Sequence, residues 1–323
     1  MTAPRNVDLV LEGGGIKGIA LLGAVTELAA AGYRFPRIGG TSCGAVIGAL
    51  VAAYQKAGRP LTELVDAMED VDYPRFAAES ALQRALGPVG DGAALLLHEG
   101  MHTGDYLLEW ITPLLADAGV RTFGDLRIDD DPGTGLADYQ RYAFVANVSD
   151  VSRRVLVRLP WDYDQYGLAA DDQSVAHAVR ASMSVPFYFR PIRVETDRGA
   201  VTWVDGGLLS NFPVQMFDRS DGRTDRWPTW GIKLSARPSD DGADTPLTNA
   251  LSLAIGCVRT AIDQEANRYR LADECVSRRT VYVDTGGVAS LDFFLDAEGR
   301  ARLLEAGRTA ARTFLTTQNH DEV

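Results

Sequence analysis

The chain has 323 residues, 46% apolar and 24% charged, with 32 basic and 44 acidic side chains and a formal net charge of −12. Such a composition supports a sizeable core and argues against disorder. The acid excess speaks against broad nucleic-acid binding, which needs Lys- and Arg-rich faces, and against general electrostatic adhesion to anionic membranes.

In chain order, Val7 to Leu11 reads as a buried strand broken by Gly13-Gly14-Gly15, and Ile16 to Ala31 has helical spacing. Arg37 to Gly40 is a short strand, and Cys43 to Tyr54 an Ala-rich helix. This strand–helix–strand–helix opening predicts a mostly parallel sheet covered by helices, an α/β fold. From Leu61 to Leu115 the pattern is mostly helical, broken at Pro74, Gly87-Pro88 and Gly90 to Gly92, with a compact apolar run at Ala93 to Leu97. Asp129 to Gly133 is a polar turn, and Arg141 to Asn147 and Arg153 to Leu159 read as paired strands. Gln173 to Ser182 is expected to be a helix that ends before Pro186. Strands are expected at Ala200 to Val204, Trp230 to Leu234 and Val281 to Val283. Pro238 to Pro246 reads as an acidic loop, Leu247 to Ala272 as a long helix, and Arg300 to Leu315 as a closing amphipathic helix. No repeat, low-complexity block or linker divides the chain, so one domain over 1–323 is expected, with its core at about 7–315 and a flexible tail at 316–323.

Cys43, Cys257 and Cys275 are odd in number and widely spaced, without a CxxC. That is neither a disulfide framework nor a zinc site, and it suits a reducing compartment. No His/Asp cluster has metal-ligand spacing and no calcium loop is present, so no metal is expected. No signal peptide is visible, and no apolar run approaches the ~18 residues of a membrane span. A cytoplasmic protein, peripheral at most to the membrane, is the expectation.

Three segments could carry chemistry. Gly40-Thr41-Ser42-Cys43-Gly44 fits G-x-S-x-G, the strand-to-helix turn that lifts a serine hydroxyl clear of a sheet, and lies between a strand and a helix as that motif requires. An ordinary serine-capped glycine turn is the plainer alternative. Gly13-Gly14-Gly15-Ile16-Lys17-Gly18 exposes backbone N–H groups at a strand–helix junction. It could form an oxyanion hole, or, through Gly13, Gly15 and Gly18, a dinucleotide loop. The dinucleotide reading wants an acid ~20 residues on, where Tyr33 to Ile38 supplies none. A phosphate loop would need Ser or Thr after Lys17, where Gly18 stands.

The third segment concerns the base. His98 and His102 lie in an irregular apolar stretch, His177 sits within a helix, and His320 lies near the C-terminus. A Ser-His-Asp triad is therefore poorly supported, which leaves a carboxylate acting directly on the serine. Asp205-Gly206-Gly207, closing a strand, is well placed, with a surface turn as its alternative.

Taken together, these segments resemble the patatin-like phospholipase family of bacterial type. Further similarity lies in Ala181 to Pro186 with Phe189-Arg190-Pro191, in Ser210-Asn211-Phe212-Pro213 and in Leu304 to Gly307, so the resemblance extends over roughly Val7 to Leu315. It implies a three-layer α/β/α fold and a serine acyl-ester hydrolase acting on membrane lipids through an acyl-enzyme, without cofactor. It implies Ser42 as nucleophile, Asp205 as proton acceptor and the Gly13, Gly14 and Gly15 amides as oxyanion hole. Lys17, Gly18, Gly40, Gly44, Gly206 and Gly207 would support these motifs. Cys43 stands where the family usually has a smaller residue. The partner implied is a lipid or membrane-surface substrate. Ala93 to Leu97, the stretch around Leu107, Leu108, Trp110 and Ile111, and Phe212 to Phe217 are candidates for an acyl entrance. A nucleotide-binding protein using Gly13 to Gly18 and a non-catalytic relative are the competing readings.

Overall fold

The structure is a computed structural model that describes residues 5–77, 100–129, 133–219, 221–234, 250–262 and 274–321. Its strands, in chain order, are β1 (Arg5–Asn6), β2 (Asp8–Leu11), β3 (Tyr33–Arg34), β4 (Ile38–Thr41), β5 (Gly100–His102), β6 (Phe144–Asp150), β7 (Val155–Leu159), β8 (Phe187–Phe189), β9 (Ile192–Val194), β10 (Val201–Asp205), β11 (Thr229–Lys233) and β12 (Thr280–Tyr282). The helices are α1 (Gly18–Ala30), α2 (Cys43–Ala57), α3 (Glu63–Glu69), α4 (Asp105–Asp117), α5 (Val175–Ser182), α6 (Ala250–Ile262), α7 (Glu274–Arg278) and α8 (Ala297–Asp321).

Among the described residues, eight strands form one mixed sheet. β12, β11, β2, β4 and β6 run parallel in that order. Each residue of β2, β4 and β11 is buried, as expected for parallel strands covered on both faces. β7 pairs antiparallel with Ala146 to Asp150 of β6. β10 also pairs antiparallel with β6, at Val148 to Asp150, and β4 pairs with Phe144 to Asn147. A strand has only two hydrogen-bonding edges. With β7 along one edge, β4 and β10 must share the other, lying end to end.

Helices flank this sheet. α2 packs on β4 and β6 and against α5, which itself reaches β6 and β10. α1 and α8 lie along each other, brought close by two glycines. A Cβ on Gly23 would strike the Leu304 carbonyl, and one on Gly307 would strike the backbone of Ala20. Away from the main sheet, β1 pairs with β3 and β5 with β8.

The expected α/β architecture is observed, with several local differences; β1 and β3 are short additional strands, and β5 falls in a stretch expected to be mostly helical. β8 and β9 were not expected; each has three residues, too short for a period of two to show, and prolines precede both. α8 runs to Asp321, past the expected end at Leu315. Its polar last turns carry no apolar stripe, but Thr316 and Thr317 hydroxyls donate to carbonyls one turn back and Gln318 Nε2 donates to the Arg278 carbonyl. The strand before the first elbow ends at Thr41, not Gly40. The Ala93 to Leu97 run, His98, the Pro238 to Pro246 loop and much of the Leu247 to Ala272 helix lie outside the described residues.

Candidate active site

Thr41 is the last residue of β4 and Cys43 the first of α2, so Ser42 alone makes the turn between them. Its backbone sits at φ 54°, ψ −124°, a region that costs a non-glycine residue ~1–3 kcal/mol. Such strain persists only where the surroundings over-determine it. Gly40 and Gly44 supply the room: a Cβ on Gly40 would collide with the Gly44 backbone, and one on Gly44 with the carbonyls of Leu11 and Glu12. The Ser42 N–H donates to Ser182 Oγ at 2.9 Å. The Ser42 hydroxyl makes no helix-capping bond; it donates to Met183 Sδ at 3.4 Å.

Asp205 arrives at the same place from the opposite direction. It ends β10, where it pairs with Val148, the residue after Asn147, which pairs with Thr41. Asp205 Oδ1 accepts from the Gly207 N–H at 2.7 Å. Its Oδ2 is buried and accepts no hydrogen bond from the described residues. Burial pushes the carboxyl up to about 7, against the lowering pull of the Gly207 amide and the nearby Ser42 hydroxyl. The hydroxyl's own hydrogen bond is to the Met183 sulfur, while its proximity lowers the Asp205 carboxyl. Among the described residues, no histidine acts on Asp205. His177 is exposed on α5, and His102 is buried against Tyr188, its ring centroid 4.5 Å away.

The glycine loop lies beside this pair. A Cβ on Gly13 would come within 3.1 Å of Ser42 Cβ. The three amides expected at an oxyanion hole are not equivalent. The Gly13 N–H donates to the Asn211 carbonyl at 3.1 Å and is committed there. The Gly14 N–H faces the Cys43 sulfur. The Gly15 N–H donates no hydrogen bond among the described residues. Gly15 has φ +57° and backs onto Ser290, whose carbonyl accepts from Ile16 N–H at 2.9 Å. Lys17 is partly buried and precedes α1 without a side-chain capping bond, and Gly18 packs against the Cys43 side chain.

Cys43 is not poised as a nucleophile. Burial first, and then the charge of Asp205, push its thiol up to about 12, which leaves almost no thiolate at neutral pH. Instead it lines an apolar cleft together with Met183, whose sulfur accepts from the Ser42 hydroxyl; Ser42 itself is not in the lining. Leu107, Trp110, Phe76 and Phe293 form other parts of the lining. Two of the residues expected at an acyl entrance therefore line it. Phe212 and Phe217 do not; both are buried in the core. Among the described residues, no group of three or more His, Cys, Asp or Glu is placed to hold a metal ion, and no helix is long and apolar enough to cross a membrane.

Sequence reasoning missed the residues that anchor the site: Ser182, Met183 and Ser184, Asn211 and Ser290. The first four lie in segments noticed only for their resemblance, and nothing marked Ser290.

A mixed sheet that brings a strained serine and a buried carboxylate together beside an apolar cleft has the layout of a lipid hydrolase. The model of the family described as patatin-like phospholipase matches residues 9–218, and the chain belongs to that family of lipid hydrolases. It is 32% identical over 309 residues to the protein YqhO of Bacillus subtilis, covering 96% of this chain and 98% of that one. It is 29% identical over 212 residues to lysophospholipase nte1 of Aspergillus niger, covering 65% of this chain but only 11% of that much longer protein. In fold it is similar to VipD from Legionella pneumophila, with a TM-score of 0.53 at 16% identity, over 98% of this chain and 67% of that one.

Proposed function

We propose that this protein is a serine acyl-ester hydrolase of membrane lipids, of the phospholipase A or lysophospholipase type. The observation that carries the reading is the buried Asp205, whose Oδ2 has no hydrogen-bond partner among the described residues, at a strand end that adjoins a serine held at a strained elbow. Ser42 Oγ attacks the ester carbonyl while its proton passes to Asp205 Oδ2. In this reading glycine-loop amides stabilise the oxyanion, with Gly15, whose N–H donates no hydrogen bond among the described residues, as the first candidate; one such donor is worth about 10²–10³ in rate. Collapse of the tetrahedral intermediate expels the alcohol or lyso-lipid, which takes the proton from Asp205, and leaves an acyl-Ser42. Water, deprotonated by Asp205, then releases the fatty acid and restores the serine.

The apolar cleft suits the acyl chain, because Cys43 and Met183, which adjoin Ser42, help line it and its lining is almost wholly hydrocarbon and sulfur. Leu209, Leu253 and Phe294 are exposed at 47%, 54% and 71%. They sit on segments that adjoin the site: Leu209 just after the Asp205 turn, Leu253 on the helix against that turn, and Phe294 beside the cleft-lining Phe293. That placement suits a substrate presented at a lipid surface by a cytoplasmic, peripherally bound enzyme. A nucleotide reading of the glycine loop finds less support, since the Gly13 amide is occupied by Asn211.

Labelling with a fluorophosphonate and turnover of a short nitrophenyl ester test the reading. Ser42→Ala should lose both, and Asp205→Ala should lose at least ~10³-fold in kcat, the scale set by losing a general base. Turnover by folded Ser42→Ala near the wild-type rate would overturn it.

A further inference from the structure

The turn Ser182-Met183-Ser184, at the end of α5, touches both members of the Ser42–Asp205 pair. Ser182 Oγ accepts from the Ser42 N–H at 2.9 Å and donates to the Asn147 carbonyl at 2.7 Å. Met183 Sδ accepts from the Ser42 hydroxyl at 3.4 Å. The Ser184 carbonyl accepts from the Asp205 N–H at 2.8 Å. We propose that Ser182 is a positioning residue for hydrolysis, its hydroxyl fixing the serine elbow to β6 and thereby setting the Ser42–Asp205 separation. This rests on the Ser–Asp reading above.

The Ser182 hydroxyl is fully buried and has one donor and one acceptor role here, both directed at backbone. The N–H that it receives belongs to the one strained residue of the elbow. The carbonyl to which it donates is the one against which the aspartate turn packs, since a Cβ on Gly206 would come within 2.6 Å of the Asn147 carbonyl carbon. One hydroxyl therefore references the nucleophile to the same peptide that supports the base. Its own position is fixed in turn. Arg180, buried on α5, donates to Ser184 Oγ at 2.7 Å and to the Arg190 carbonyl at 2.9 Å, so the turn cannot drift independently of β8 and β9. With Ser182→Ala the Ser42 N–H loses this partner in a buried site, and the elbow can relax away from its strained geometry. A misplacement of about 1 Å in a catalytic group can cost about 10²-fold in rate.

The test compares Ser182→Ala and Ser182→Thr with the wild type on a soluble nitrophenyl ester, with rates expressed per active site titrated by fluorophosphonate, and Ser42→Ala with its rate expressed per folded protein. Ser182→Ala should lower kcat per titrated site by about 30-fold or more with KM within about twofold, as expected for lost positioning and intact binding. Ser182→Thr, which keeps the hydroxyl, should recover most of the loss. The pH midpoint of Ser182→Ala should move upward, because a receding Ser42 hydroxyl no longer stabilises the Asp205 carboxylate. A purely structural role would lower the titrated fraction and leave kcat per site and the midpoint unchanged; that result overturns the proposal. If Ser182→Ala does not fold, Ser182→Cys, with a weaker hydrogen-bonding group of similar shape, provides the same comparison. An active Ser42→Ala would instead remove the Ser–Asp reading, whereas an inactive Ser42→Ala beside a fully active Ser182→Ala would remove only the positioning role.

Discussion

Thr41 and Asp205 pair with consecutive residues of one strand, Asn147 and Val148, and they reach them from opposite directions. β4 runs parallel to β6 and β10 antiparallel, so their C-terminal ends meet head-on along a single edge. Whatever follows Thr41 must then lie beside the Asp205 side chain. A serine and an aspartate from distant parts of the chain are thus juxtaposed by backbone register, before any side-chain contact contributes.

Asp205 should govern both activity and stability with pH. Its carboxyl lies at about 7 and must be ionised to take a proton from Ser42. On a soluble ester, kcat/KM should rise with pH to a plateau, with a midpoint near that value; a flat profile from about pH 5 to 9 would contradict the base role. Stability moves the other way. The folded pKa is raised above the unfolded 3.8, so the native state holds more protons in between, and its stability falls as pH climbs towards about 7. Relative to Asp205→Asn, the wild type should lose about 3 kcal/mol between pH 5 and pH 9, at 1.36 kcal/mol per pH unit of unequal protonation. Denaturant unfolding of both proteins at the two pH values measures this difference.

Cys43 should be dispensable for the chemistry despite standing next to Ser42. Its thiol is buried and pushed up to about 12. Cys43→Ala should keep kcat within about threefold, since its thiolate is essentially unpopulated at neutral pH. Iodoacetamide should label the exposed Cys257 and Cys275 without inactivation. Loss of activity in step with modification of Cys43 itself would refute this.

Gly44→Ala should be far more damaging than Gly58→Ala. At Gly44 the new methyl would meet the Leu11 and Glu12 carbonyls, whereas at Gly58 nothing lies within 4 Å and only the left-handed backbone, φ +67°, opposes it. The first change should cost more than about 3 kcal/mol or prevent folding, because both obstacles are backbone. The second should cost about 1 kcal/mol. Thermal unfolding of the two variants checks the order.

Replacing Leu209 and Phe294 together by Asp should lower hydrolysis of phospholipid vesicles at least about tenfold and leave soluble esters within about twofold, because exposed apolar side chains act by partitioning into lipid. Equal loss on both substrates would assign these residues to folding instead.

The sequence alone determined the local pieces. Gly40 to Gly44 between a strand and a helix predicts an elbow because only glycines tolerate such close backbone approach, and Asp205-Gly206-Gly207 after a strand predicts a tight turn carrying a carboxylate. The strand–helix alternation likewise fixes the fold class, since its apolar runs must be covered on both faces. What the sequence could not show was that β10 shares an edge of β6 with β4, because strand neighbours are chosen by long-range packing that no local pattern encodes. Register therefore decided the meeting of Ser42 with Asp205. Long-range contact also decided that the Gly13 amide turns to Asn211 and that Ser182, in a segment noticed only for its resemblance, accepts from the Ser42 N–H. Hydrogen bonds between residues 140 or more positions apart have no signature in spacing; they exist only once the sheet has closed.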